Sequence, residues 1–390
     1  MILFQMAFRN LRRGGLRTWL NVIVLAIVFV SIIFLQGFNA GILEQASDAT
    51  IRSEIGAGQF RHPDYDPYDP LTLDQAHGTL PAALAAGVAD SQVTPILIVP
   101  GTLYPEGRLV SVRLNGIDPA QTILDLPMGI LANRHAAIPA VIGSRMATST
   151  NLRQGDIVTM RWRDREGTFD ARDIEIVRII NTPVASIDQG QVWLSLDSLR
   201  VLADMPEQAT LAVLSRGAET VPDSGNWTFH SQYALLSELR NLVQVRSIGN
   251  AILNGILLML GLIAILDTQI LSVFRRRKEI GTLISLGMTR GRVIRLFTLE
   301  GSLNGIFACL LGAAIGAPLF WWMATAGYPM PQSADSMGIA IGNVLYPRYG
   351  AGLIGGVTVL MLISVTVVSM LPSRRIARMK PTDALRGRTP

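Results

Sequence analysis

The sequence predicts an α-helical membrane protein with four transmembrane helices and a large α+β extracytoplasmic domain inserted between helices 1 and 2. Three observations carry this expectation. Four stretches reach the length of about 20 apolar residues that a bilayer core demands, in a chain of 390 residues that is 49% hydrophobic and only 16% charged. Basic residues crowd beside these stretches at residues 1–17, 275–295 and 372–390, and such crowding marks the cytoplasmic side. Residues 40–247, between the first and second stretches, have the mixed composition of an ordinary soluble domain.

Residues 1–17 carry Arg9, Arg12, Arg13 and Arg17 and no acid, and read as a cytoplasmic amphipathic segment. The first span is placed at 18–39. Its apolar run exceeds the core of a cleavable leader, and Ile42 and Leu43 continue the helical pattern, so an uncleaved anchor is expected. In the core domain, 40–247, Gly41–Glu54 and Ser231–Arg246 read as stalk helices continuous with spans one and two. Between them, strands are expected at Val93–Val99, Leu109–Leu114, Ile157–Trp162, Ile174–Ile180, Val192–Leu194 and Leu211–Leu214, with clear alternation in Val110–Leu114. Helical pieces are expected at Asp74–Ala86, Ser144–Asn151 and Leu196–Ala203. Asp64, Asp66 and Asp69 are separated by prolines, which suits a rigid connector better than a calcium loop. Asp223–Trp227 reads as a turn.

The second span is placed at 248–273, the cytoplasmic loop at 274–301, the third span at 302–325, a short external loop at 326–349, the fourth span at 350–371 and a cytoplasmic tail at 372–390. Seven basic residues against Glu279 in 275–295, and six against Asp383 in 372–390, put both termini and the loop in the cytoplasm of a bacterial inner membrane. Gly312–Gly316 and Gly352–Gly356 allow close helix contact. Asp267 and Gln269 fall in the last turns of span two, near water; a buried functional carboxylate is the alternative. No polar chain crosses a span, which argues against an ion relay.

Several function classes are excluded or disfavoured. The lone Cys309 and four scattered His offer neither an internal disulfide nor a Cys/His metal cluster. The charge is too localised for a nucleic-acid face. No phosphate-binding loop, nucleophile elbow or zinc-protease motif occurs, so the chain is not expected to be an enzyme or to hold a metal or cofactor of its own.

The stretch FRRRKEIGTLISLGMTRGRVIRLFTLEG, residues 274–301, remains. Arg275–Leu286 has helical spacing with Ile280, Leu283 and Ile284 on one face, Gly287 suits a helix stop, and Arg292–Leu299 starts a helix feeding span three. Basic residues lying on anionic lipid explain the arginines. They do not explain the KEIG…LG arrangement or a carboxylate among the cations.

Arg277–Leu283, Ser285–Arg290 and Glu300-Gly301 together resemble the signature of FtsX-like ABC permeases, a family that includes the MacB efflux pumps and the lipoprotein-releasing Lol permeases. Ala7–Arg13 is similar to the family's opening, Pro372–Arg386 to its tail, and Val141–Ala147 with Gln154–Val158 to its external core domain. The resemblance implies a permease that pairs with a second copy or paralogue and rests on a cytoplasmic ABC ATPase dimer, which carries the ATP and Mg. It implies that Arg277, Glu279, Ile280, Gly281, Leu283, Ile284 and Gly287 form the coupling helix that docks the ATPase. Glu279 would meet a basic group there, and Leu283 and Ile284 an apolar groove. It further implies mechanotransmission to a periplasmic substrate or acceptor, such as a lipoprotein or lipid, without passage between the spans. The chain starts at its first span, unlike the MacB pumps with their fused ATPase, so the separate-subunit types are expected. The alternative is an FtsX-like signalling protein that switches an external partner such as a cell-wall hydrolase.

Overall fold

The computed structural model describes residues 15–133, 137–329 and 344–377. The opening motif at Ala7–Arg13, most of the 326–349 loop and the tail beyond Ala377 lie outside the described residues. The elements, in chain order, begin with α1 (Gly15–Thr50), β1 (Gly58–Arg61), α2 (Ala82–Ala89), β2 (Val93–Leu103) and β3 (Val110–Ile117). They continue with β4 (Ile138–Gly143), α3 (Ser144–Thr150), β5 (Ile157–Arg163), β6 (Phe169–Ile180), β7 (Gln191–Ser195), α4 (Leu196–Leu202), β8 (Leu211–Leu214) and β9 (Thr228–Ser231). Last come α5 (Ser237–Arg275), α6 (Arg277–Ser285), α7 (Arg290–Ala326) and α8 (Ala351–Ala377). The chain divides into two compact units. One holds the chain up to Ile42, Leu242–Tyr328 and the chain from Tyr346; the other holds Leu43–Asn241 and Pro329–Leu345.

Among the described residues four helices are long and apolar enough to cross a membrane, over Trp19–Ile55, Ile248–Arg275, Arg290–Ala326 and Ala351–Arg374. In the helical unit Leu25, Phe29, Ile33, Ile265, Ala308, Met361 and Val365 form one apolar core. Gly312 lets α1 approach α7, since a Cβ there would stand 2.7 Å from the Phe29 ring. Gly352 and Gly356 face open space within this chain. Asp267 is exposed, whereas Gln269 is buried, so the carboxylate of span two is not a buried group.

The second unit is built on a nine-stranded mixed sheet in the order β9-β1-β8-β2-β3-β7-β4-β6-β5. The length of β2 explains its closure. Val93–Ile96 pair with β8, while Gly101–Leu103 farther along the same strand pair with β5. Strands β2, β3, β7, β4, β6 and β5 thus return on themselves as a barrel. Alternation sends Leu97, Val99, Leu103, Val112, Leu114, Met160, Trp162, Ile174 and Ile176 into its interior, as small barrels require. Every strand expected from the sequence is present. The stretch Asp74–Ala86 is instead a 3-10 turn at Pro70–Asp74 followed by α2, because Pro81 sits at the helix entry. The connector aspartates bind backbone: Asp66 accepts from the Tyr68 amide at 2.9 Å and Asp69 from the Leu71 amide at 3.0 Å.

The junction of β4 and α3 shows why Gly143-Ser144-Arg145 is spelled as it is. A Cβ on residue 143 would stand 2.4 Å from the backbone of Asp188. The Asp188 carboxylate, 1% exposed, accepts from the Ser144 amide at 2.6 Å and the Arg145 amide at 3.2 Å, and pairs with Arg145 Nε at 3.3 Å. It caps the N-terminus of α3 from the segment that joins β6 to β7.

Candidate functional site

The 274–301 stretch folds as a helical elbow inside the helical unit. The chain leaves α5 at Arg275, turns at Arg276 and runs through α6. Gly287 adopts φ 96°, which a glycine takes at least cost. Its amide donates to Ile284 O and that of Met288 to Leu283 O, both at 3.0 Å, which satisfies the last carbonyls of α6. Thr289, with extended backbone, opens α7.

The apolar face of α6 is turned inward. Ile280, 2% exposed, packs with Val273, Val293 and Phe297, and Ile284 and Met288 join them. A charged clasp closes this small core. Arg276 donates to Glu279 at 2.8 Å and to both oxygens of Glu300 at 3.0 and 3.2 Å, and its guanidinium lies 5.1 Å from the Phe297 ring centroid. Burial opposes the charge of Arg276. The hydrogen bond to Glu279 and the charges of Glu300 and Glu279 outweigh that, so its pKa stands above the ordinary arginine value. The charge is therefore permanent. Immediately after Glu300, a Cβ at Gly301 would stand 2.2 Å from Ser369 Oγ, so the glycine is what lets α8 lie against α7.

The residues expected at the site therefore separate into two groups. Ile280 and Gly281 are buried, Ile284 is half-buried within the elbow's core, and Gly287 forms the corner. Glu279 is exposed but bound to Arg276, and Leu283 is half-buried. Arg277 opens α6. Lys278, Thr282, Ser285 and Leu286 are exposed, and Leu286 stands 79% exposed at the tip. Sequence reasoning quoted Glu300 only as part of the family signature and assigned no site role to Arg276, Glu300 or Leu286. The three-residue spacing of Arg276 and Glu279 was the available signal for the first.

Among the described residues no group of three or more His, Cys, Asp or Glu side chains lies close enough to hold a metal ion. Comparison with known proteins adds the following. Residues 251–381 match the family described as FtsX-like permease C-terminal. The chain is 34% identical over 135 residues to the uncharacterized ABC transporter permease YknZ of Bacillus subtilis, covering 34% of this chain and 29% of that protein. It is 25% identical over 184 residues to the lipoprotein-releasing system transmembrane protein LolC of Xylella fastidiosa, covering 45% of this chain and 42% of that protein. The uncharacterized ABC transporter permease MJ1507 of Methanocaldococcus jannaschii is 26% identical over 137 residues, 34% of this chain and 31% of that protein. The matched region thus spans under half the length of each of these relatives.

Proposed function

We propose that this chain, whose residues 251–381 match the FtsX-like permease C-terminal family and which is similar to ABC transporter permeases, is the membrane subunit driven by a cytoplasmic ABC ATPase dimer through the elbow at 274–301. The observation that carries this reading is the division of α6 into two faces. Its inner face is locked to α7 by apolar packing and by the Arg276 clasp, while Leu286 and the polar outer face stand free of this core. A push on α6 is then passed to α7 as a rigid lever. Lys278, Glu279, Thr282 and Leu286 form the contact, Arg277 and Leu283 flank it, and Ile280, Gly281, Ile284 and Gly287 hold its shape.

The distribution of arginines supports placing the elbow and both termini in the cytoplasm and the sheet unit on the far side of a bacterial inner membrane. ATP and Mg belong to the ATPase partner. A second permease copy or paralogue completes the assembly. Likeness to LolC supports extraction of a lipoprotein or other lipidic cargo as the work done on the far side, by mechanotransmission rather than passage between the spans.

Leu286→Glu tests the docking. A carboxylate placed in an apolar contact is costly, so the ATPase is expected to co-purify about tenfold more weakly, roughly 1.4 kcal/mol. Membrane insertion of the permease is expected to be unchanged. Co-purification at the wild-type level would sink the assignment of Leu286 to the docking contact.

A further inference from the structure

Within the sheet unit, a cleft of about 690 Å³ lies on the outer face of the barrel. Strand register explains its floor. Arg113 stands opposite Pro100, Ser111 opposite Thr102, and Thr102 opposite Arg161. Residues directly opposite share a face, so these five lie together, and Arg163, two positions past Arg161, joins them. Their neighbours Val112, Leu114, Leu103 and Trp162 point the other way, into the core. The connector at Tyr65–Asp74 forms one wall. Phe169, opposite Arg163, forms another.

Three arginines on one strip of sheet call for counter-charge, and the chain supplies it to one of them. Arg163 pairs with Asp74 at 3.0 Å. Arg161 has its guanidinium 4.1 Å from the Phe169 ring centroid and donates to the Tyr104 hydroxyl at 3.3 Å, with no carboxylate partner among the described residues. Arg113 is half-buried, and among the described residues its side chain makes no hydrogen bond or ion pair. The other lining acid, Asp66, is engaged with the Tyr68 amide. Beside these cations Leu71 is 81% exposed and Phe169 58% exposed. The cleft volume falls in the range of small-ligand sites.

We propose that this cleft binds the carboxylate or phosphate group of a small amphiphilic molecule. The anion sits on Arg113 and Arg161, whose planar guanidinium forks suit such groups, and the apolar portion lies against Leu71 and Phe169. This binding does not depend on the ATPase-docking reading.

The full-length protein in lipid nanodiscs is titrated calorimetrically with phenyl phosphate, benzoate, inorganic phosphate and phenol. Phenyl phosphate or benzoate is expected to bind saturably, with inorganic phosphate and phenol each weaker by about tenfold, because each lacks one half of the recognition. Arg113→Gln and Arg161→Gln are each expected to weaken the winning probe by about tenfold. Arg113→Lys, which keeps the charge and loses the fork, is expected to fall between. Unfolding temperatures without probe are expected to match the wild type, which separates lost binding from lost folding. Absence of saturable binding by both aromatic anions, or unchanged affinity in both glutamine variants, would overturn the site. Equal affinity for inorganic and phenyl phosphate would overturn the amphiphile.

Discussion

Glu300→Lys is expected to reduce permease-dependent ATP hydrolysis by about two orders of magnitude while leaving the sheet unit folded. Glu300 is 12% exposed and Arg276 25% exposed, and the two meet at 3.0 Å with both carboxylate oxygens engaged. Reversal sets an ammonium against a guanidinium in a site already crowded by Phe297. Breaking a buried pair by such a change costs about 3 kcal/mol, which corresponds to roughly a hundredfold shift in the docked population of α6. Glu279 offers little relief, since its carboxylate is 63% exposed and screened by solvent. Glu300→Gln, which keeps one acceptor oxygen for Arg276 and adds no like charge, is expected to lose only about 1 kcal/mol. Exchanging the charges, Arg276→Glu with Glu300→Arg, is expected to restore activity in part, because residue 276 would then repel Glu279. Steady-state ATP turnover by the reconstituted permease–ATPase complex reads all three. Wild-type turnover in Glu300→Lys would show that the clasp does not couple α6 to α7.

Asp188→Ala has the second large effect, on stability rather than drive. The carboxylate is 1% exposed and serves two amides of α3 and the Arg145 side chain at once. Its removal deletes the ion pair with Arg145 and leaves two amide donors without that acceptor, a loss of about 3 kcal/mol. Asp188→Asn keeps one acceptor and is expected to cost about half as much. Pulsed proteolysis of the full-length protein in denaturant is the measurement, with cleavage in residues 137–200 appearing at a lower midpoint for Asp188→Ala. An unchanged midpoint would mean that the cap contributes nothing.

How much of this the sequence disclosed depended on whether the deciding contact was local. The four apolar helices were legible because twenty-residue runs need no partner to be recognised. Strands with one buried face were legible too: Val110–Leu114 alternates because β3 faces core on one side and the cleft on the other. Strand β4 was not expected. Ala140, Val141 and Ile142 are all fully buried between β7 and β6, so Ile138–Gly143 shows no alternation, and Pro139 argues against a strand. Strand β1 is four residues beside a proline-rich connector and carries too little pattern to read.

At the elbow, the glycine corner was legible from Gly287 alone, since the demand for positive φ is local. The orientation of α6 was not. Ile284 reads in the sequence as free to fill a partner's groove, yet it packs with Val273 and Phe297, which lie on two other helices. The clasp joins Arg276 to a residue 24 positions away, and Gly301 is required by Ser369 on α8. Neither relation has a trace in the residues around it. Arg113 was equally silent, because its opening toward a cleft depends on strand pairing with Pro100 and Gln191.

The central claim is that an ABC ATPase seats on the outer face of α6. A photo-cross-linking amino acid at position 286 in the intact cell envelope tests it most directly, with position 157 on the barrel, 61% exposed in Ile157, as the control. The account predicts an adduct at 286 that mass spectrometry identifies as an ABC ATPase, and none with that ATPase at 157. No ATPase adduct at 286, or one at 157, would contradict it.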